Sequence, residues 1–301
     1  MKIAVSGLGR MGAQIAHKLS ENGHSVIANN RSPEPIKEAV THGAIAALTK
    51  DDVVKAFGSE RPVIWIMLPN TIVESEITKW LEMLPTGSIL IDGGNSDFRD
   101  TQKNEALVRA KGCLLIDVGT SGGIWGYENG FSMMVGGDEA AYTAIEPILK
   151  TLAAPGGAYQ YFGASGSGHF VKMVHNAIEY GIMESLAEGY RMLKEGPYQG
   201  LNLANAGEVW QHGSVVTSWL NELTRQALTE NPELTGIEGV VAESGEARWT
   251  LEVAKQINLP MPAIQTAFDV RLASQKGEIN FSTKLLAAMR AKFGGHQINP
   301  N

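Results

Sequence analysis

Lys2-Ile3-Ala4-Val5-Ser6-Gly7-Leu8-Gly9-Arg10-Met11-Gly12 decides the fold of this chain. A short apolar run leads into Gly7-Leu8-Gly9-Arg10-Met11-Gly12, a G-x-G-x-x-G pattern, and a helical pattern follows over residues 11–21. In such a strand-turn-helix unit the first glycine permits the tight turn, the second lets a pyrophosphate approach the backbone, and the third lets helix pack against strand. The helix N-terminus then attracts phosphates through its unpaired N–H groups and its dipole. Glycine-rich turns are common, so the pattern gains its meaning from its place directly after a strand and before a helix, where it reads as a dinucleotide site.

Outward from this loop, apolar runs recur at Val26-Ile27-Ala28, Val63-Ile64-Trp65-Ile66-Met67, Ile89-Leu90-Ile91, Leu114-Leu115-Ile116-Asp117-Val118 and Phe131-Ser132-Met133-Met134-Val135. Helical patterns separate them over 72–83, 100–111 and 139–152. Strands alternating with helices predict an α/β, Rossmann-like, doubly wound and mostly parallel sheet, here over residues 1–163. After Phe162 the strand signal stops at Gly163-Ala164-Ser165-Gly166-Ser167-Gly168. Beyond it every pattern is helical, over 170–193, 203–211, 215–230, 248–256, 263–274 and 283–293. The expectation is an all-α second domain over 164–301, ending in a C-terminal tail, with a cleft between the two.

Composition narrows the function classes. The 301 residues are 44% hydrophobic and 19% charged, as in a globular protein with a full core. The formal charge of −7 lacks the basic surface that phosphate neutralisation needs, so no nucleic acid is expected as a partner. No apolar run approaches membrane-spanning length, and the N-terminus runs straight into the glycine loop, so the chain reads as cytoplasmic with no membrane partner. The single cysteine, Cys113, lies in an apolar run and reads as a small buried hydrophobe.

The end of the second strand distinguishes the nicotinamide cofactors. NAD sites place an Asp or Glu there for the ribose 2′-hydroxyl, and NADP sites use an arginine for the 2′-phosphate. Here the run is Asn29-Asn30-Arg31-Ser32. It offers no carboxylate, and Arg31 with Ser32 can hold a phosphate, so NADP is the expected cofactor, with NAD as the other candidate. Cofactor contacts are expected at Gly7, Leu8, Gly9, Arg10, Met11, Gly12, Asn30, Arg31, Ser32, Leu68 and Asn95.

The second domain opens with Lys172-Met173-Val174-His175-Asn176-Ala177-Ile178-Glu179-Tyr180. At roughly 100° per residue, Lys172, His175, Asn176, Glu179 and Tyr180 fall within one arc of about 140°. Solvated faces usually carry Lys, Glu, Gln and Arg in i,i+4 pairs. This stripe instead uses residues that orient ligands, with a basic group and a carboxyl about 10 Å apart along the axis. Two turns at strand ends, Asp92-Gly93-Gly94-Asn95-Ser96 and Ser121-Gly122-Gly123, bring polar groups and accessible backbone N–H groups to the same end of the sheet.

Together GLGRMG, DGGNS, SGG and KMVHNAIEYG resemble the decarboxylating 6-phosphogluconate dehydrogenase family, in a short form without the second helical repeat of the long form. The similarity runs the length of the chain, through Val209-Trp210-Gln211-His212-Gly213-Ser214 to Arg290-Ala291-Lys292-Phe293-Gly294-Gly295-His296. The resemblance implies oxidation of 6-phosphogluconate to ribulose 5-phosphate and carbon dioxide, within the pentose phosphate pathway or gluconate utilisation, without a metal. It implies Lys172 as the general base on the 3-hydroxyl and Glu179 as the acid that protonates C1. Asn95, Ser121, Gly122, Gly123, His175 and Asn176 would hold the carboxylate and hydroxyls; Tyr180, Arg271, Arg290 and His296 would hold the phosphate end. It also implies a homodimer or homotetramer, with Arg290 and His296 acting across the subunit interface.

At one place the chain departs from the long form. A lysine and a threonine that contribute to phosphate binding there are replaced by Ser244 and Glu246, followed by Arg248. Either Arg248 turns to the phosphate, or Arg271 and Arg290 suffice, or the substrate is less demanding at that end. The alternatives are a non-decarboxylating β-hydroxyacid dehydrogenase of the 3-hydroxyisobutyrate type, against which DGGNS, His175, Glu179 and the Arg/His tail speak, and a catalytically silent dinucleotide-binding sensor.

Overall fold

The computed structural model describes residues 1–295. Eight strands form one sheet: β1 (Lys2–Ser6), β2 (Ser25–Asn29), β3 (Ile45–Ala47), β4 (Val63–Ile66), β5 (Ile89–Asp92), β6 (Leu114–Ser121), β7 (Ser132–Gly137) and β8 (Tyr159–Tyr161). Their order is β3-β2-β1-β4-β5-β6-β7-β8, and all neighbours run parallel except β6 and β7. The helices of this unit are α1 (Arg10–Glu21), α2 (Pro33–Thr41), α3 (Lys50–Phe57), α4 (Asn70–Leu81), α5 (Phe98–Ala110), the short α6 (Gly126–Asn129) and α7 (Glu139–Leu152).

The apolar runs form central strands because both their faces are covered. Ile3 and Val5 of β1 belong to one core cluster while Ala4 between them belongs to the other. The same alternation holds for Val26, Ile27 and Ala28 and for Ile89, Leu90 and Ile91. Such double burial needs helices on both faces, which is the doubly wound architecture. β3 and β8, three residues each at the two edges, add to the strands expected from sequence.

The remaining helices are α8 (Ser167–Glu195), α9 (Leu203–Gln211), α10 (Trp219–Glu230), α11 (Glu246–Gln256), α12 (Pro262–Ser274) and α13 (Phe281–Gly294). The chain divides into compact units of residues 1–173 and 174–301, so the division falls inside α8, ten residues later than the expected 163/164. The reason is the start of α8. Gly166 N donates to Asp117 Oδ1 at 2.8 Å and His169 N to Asp117 Oδ2 at 2.9 Å, so a fully buried carboxylate of β6 caps the helix. His169 Nδ1 also lies 2.7 Å from Thr101 Oγ1 of α5, and the first turns of α8 therefore belong to the sheet unit.

The helical unit closes over two apolar clusters. Met183, Tyr190, Leu228, Leu285, Leu286 and Met289 contribute to one, and Ala177, Tyr180, Ala247, Ala267 and Phe268 form the other. Capping side chains start α9, α10 and α13: Asn202 accepts from Asn205 N, Ser218 from Asn221 N, and Asn280 from Ser282 N and Thr283 N. Among the described residues no helix is long and apolar enough to cross a membrane.

Candidate active site

The glycine loop has the geometry its sequence predicts. Gly7 adopts φ +99°, and a Cβ there would lie 2.4 Å from the Met67 carbonyl oxygen; at Gly12 it would lie 2.0 Å from the Gly7 oxygen. Both positions exclude a side chain. At Gly9 a Cβ would meet nothing within 4 Å, and Gly9 supplies the N-cap of α1 without a side chain to satisfy the helix N–H groups. An exposed glycine at an uncapped helix N-terminus fits the pyrophosphate of a dinucleotide. Arg10 is exposed beside it, and Leu8 and Met11 pack into the sheet core.

Asn30 ties this loop to the next: its Oδ1 accepts from Leu8 N at 3.0 Å and its Nδ2 donates to the Ser32 carbonyl at 3.2 Å. Arg31 and Ser32 are exposed at the start of α2, whose N-cap Ser32 makes no side-chain capping bond. Asn29 has a different task, with Ser6 Oγ donating to its Oδ1 and its Nδ2 donating to the Ala47 carbonyl, all buried. The pair of asparagines thus splits into one that braces the sheet and one that braces the loops.

The Asp92–Ser96 turn is held by Asp92 itself. Gly94 N donates to Asp92 Oδ1 at 3.1 Å and Ser96 Oγ to Oδ2 at 2.7 Å, leaving Asn95 exposed at the tip. The Leu68 carbonyl lies against Gly94 and its side chain against Gly7, so Leu68 brings this turn and the glycine loop together. Ser121 ends β6, and Gly122 and Gly123 continue it with φ +135° and +55°. Two α1 residues that sequence reading missed clamp the segment that follows. Gln14 donates to the Ile124 carbonyl and accepts from Tyr127 N, and Lys18 donates to the Tyr127 carbonyl. Their spacing of four on α1 was a legible pattern without a visible partner.

Lys172 is 5% exposed, and its Cβ packs where a side chain on Gly119 of β6 would collide, at 2.3 Å. Gly119 therefore sets how closely α8 approaches the strand at this lysine. Among the described residues no three His, Cys, Asp or Glu side chains gather as a metal site.

In the helical unit, His175, Asn176 and Glu179 are half-buried and Tyr180 is buried. His175 Nδ1 lies 3.0 Å from Asn176 Oδ1, and Asn176 Nδ2 donates to Glu246 Oε1 at 2.9 Å. The Arg271 guanidinium lies 3.2 Å over the Tyr180 ring, a cation–π contact, and is 2% exposed. Burial pushes Arg271 down to about 10, with Arg290 adding repulsion and Tyr180, Glu179 and Glu184 opposing it. Burial also holds Arg290 below the ordinary arginine range, against Tyr180, Glu179 and Glu246. Two desolvated guanidiniums beside one tyrosine are suited to a compact dianion.

Arg290 is half-buried on α13, in the same unit as Tyr180, and its charge acts on Tyr180 and Arg271 of its own chain. His296 lies outside the described residues. Ser244 N donates to Tyr180 Oη at 3.3 Å, Arg248 forms an ion pair with Glu243, and Glu246 engages Asn176. Of the three options left by the departure at 244–248, the first finds no support, since Arg248 is turned to Glu243.

Comparison with known proteins identifies the family. Residues 2–166 match the family model for the NAD binding domain of 6-phosphogluconate dehydrogenase, and residues 168–292 that for the 6-phosphogluconate dehydrogenase C-terminal domain. A Bacillus subtilis protein named putative 6-phosphogluconate dehydrogenase YqeC is 34% identical over 296 residues, 98% of each chain. A Haloferax volcanii protein named as the NAD(+)-dependent, decarboxylating enzyme is 35% identical over 302 residues, covering 99% of this chain and 98% of its own. The Escherichia coli decarboxylating enzyme is 31% identical over 309 residues, and the match spans 66% of its length. By structure, a Plasmodium falciparum 6-phosphogluconate dehydrogenase superposes with TM-score 0.82 at 24% identity, over 97% of this chain and 70% of that one. A Mycobacterium tuberculosis 3-hydroxyisobutyrate dehydrogenase does so with TM-score 0.73 at 23% identity, over 94% and 97%. These two likenesses establish the shared fold.

Proposed function

Because the chain belongs to the 6-phosphogluconate dehydrogenase family of oxidoreductases and carries its NAD(P)-binding domain, we propose that it converts 6-phosphogluconate to ribulose 5-phosphate and carbon dioxide with reduction of NADP. The observation that carries this reading is the pair of desolvated guanidiniums, Arg271 and Arg290, beside Tyr180. A small β-hydroxyacid such as 3-hydroxyisobutyrate has no dianion to occupy them. The sugar acid has a phosphate.

NADP, when bound, supplies the nicotinamide that accepts a hydride. Its pyrophosphate would lie on the N-terminus of α1 over Gly9, and Arg31 with the uncapped Ser32 would hold a 2′-phosphate. The Haloferax relative is named as NAD(+)-dependent, and the absence of a carboxylate in Asn29-Asn30-Arg31-Ser32 supports NADP for this chain.

In the proposed mechanism Lys172 takes the proton of the 3-hydroxyl as hydride leaves C3, producing a β-keto acid. The protonated lysine then stabilises negative charge on the ketone oxygen while the bond to the carboxylate breaks and its electrons enter the enediol. Glu179, about 10 Å further along α8, protonates the carbon that becomes C1 of the product. Asn95, Ser121, Gly122, Gly123, His175 and Asn176 hold the carboxylate and hydroxyls, and Tyr180, Arg271, Arg290 and His296 the phosphate end.

The test is a spectrophotometric assay of 6-phosphogluconate, gluconate and 3-hydroxyisobutyrate against NADP and NAD, with carbon dioxide measured alongside. The expected result is turnover of the phosphorylated acid with stoichiometric carbon dioxide. Reduction without carbon dioxide, or preference for 3-hydroxyisobutyrate, refutes the proposal.

A further inference from the structure

Asn176 stands between two side chains of the helical unit. Its Nδ2 donates to Glu246 Oε1 at 2.9 Å, and its Oδ1 lies 3.0 Å from His175 Nδ1. Glu246 is 2% exposed and is the first residue of α11, where the helix dipole favours a negative charge. Arg290 feels that charge as well. A carboxylate has no proton to give, so the Asn176 amide must turn its NH2 toward Glu246 and its oxygen toward His175. That oxygen requires the proton of a neutral imidazole to sit on Nδ1, leaving the lone pair on Nε2.

We propose that Glu246 is a positioning residue which, through Asn176, fixes the tautomer of His175 so that Nε2 accepts a hydrogen bond from a substrate hydroxyl. The proposal rests on the substrate reading given above, and it turns the departure from the long form into part of the site: Glu246 orients the hydroxyl-binding pair. A structural role alone accounts poorly for this carboxylate. Its Oε2 is buried and makes no hydrogen bond among the described residues, an unfavourable choice for stability. Tautomer control also confers selectivity, because a site built to accept a hydroxyl proton discriminates against analogues that lack the hydroxyl.

The experiment compares Glu246→Leu and Glu246→Gln in the full-length protein labelled with 15N-histidine. Long-range 1H–15N correlation reads which ring nitrogen of His175 is protonated. The wild type should be protonated at Nδ1. Glu246→Leu should lose that preference and lower kcat/KM for 6-phosphogluconate by about tenfold to a hundredfold, mainly through KM, as expected for an orienting hydrogen bond to a charged group. Glu246→Gln, whose amide oxygen can still accept from Asn176, should keep the tautomer and restore most of the activity. An unchanged tautomer in Glu246→Leu overturns the proposal. Equal impairment in both variants also overturns it, by assigning the effect to the charge beside Arg290. If Glu246→Leu does not fold, Asn176→Leu removes the same acceptor without altering α11, and an unaltered tautomer there is equally refuting. The imidazole signals are read without substrate, so a wild type inactive on 6-phosphogluconate refutes the substrate reading while leaving the tautomer result intact.

Discussion

Replacing Glu184 by glutamine should stabilise the protein at pH 8 and change it little at pH 5. Glu184 lies on α8 and is 5% exposed, and its Oε2 has no hydrogen-bond partner among the described residues. Burial, and then the like charge of Glu188, push its carboxyl up to about 7 from an ordinary 4.5, against the attraction of Arg271. The folded state thus holds this proton more tightly than the unfolded chain. Its stabilising effect is fully present below about pH 4.5 and is lost as pH rises through about 7. At about 1.4 kcal/mol per pH unit, ionising the buried group costs about 3 kcal/mol, most of it appearing between pH 5 and pH 8. Glutamine keeps the shape without the charge and should recover about 2 to 3 kcal/mol at pH 8. Urea denaturation across this range, followed by tryptophan fluorescence and circular dichroism, measures the difference, in which the titration of other groups cancels. A variant no more stable than wild type at pH 8, or one stabilised equally at both pH values, refutes the reasoning.

Lys172→Met should lower kcat by about 10²- to 10⁴-fold with cofactor binding retained, whereas Glu179→Gln should leave a first burst of reduced cofactor followed by slow turnover; rapid-mixing absorbance separates the two, and normal turnover in either rejects its role. Arg31→Ala should reduce the preference for NADP over NAD in kcat/KM by about tenfold to a hundredfold, the worth of charge-assisted hydrogen bonds to a phosphate. An unchanged ratio would move the discrimination elsewhere. Deleting residues 296–301 keeps α13 and its buried Leu285, Leu286 and Met289, so thermal stability should hold while turnover of 6-phosphogluconate falls; unaffected turnover removes His296 from the site.

Much of the sheet was legible because its central strands are buried on both faces and read as continuous apolar runs. β3 and β8 were not, since Ile45-Ala46-Ala47 and Tyr159-Gln160-Tyr161 are three-residue edge strands whose existence depends on the neighbour they pair with. The domain boundary shifted for a related reason. Gly163 to Gly168 reads as a linker, yet Asp117, nearly fifty residues earlier, captures the start of α8 and keeps it with the sheet.

The residue types on α8 and in the glycine loop were determined by sequence alone, because helical periodicity and the steric demands of a tight turn are local. Lys172, His175, Asn176, Glu179 and Tyr180 share a face wherever that helix lies. Which groups those side chains meet is a property of the tertiary fold. From sequence Glu246 read only as the replacement of a phosphate-binding threonine of the long form. The packing of α11 turns Glu246 onto Asn176 across 70 residues, and α13 sets Arg290 where its charge acts on Tyr180 and Arg271 of the same chain. A carboxylate acts as a repulsive charge or as an orienting acceptor according to the donor in front of it, and only chain-distant packing supplies that donor.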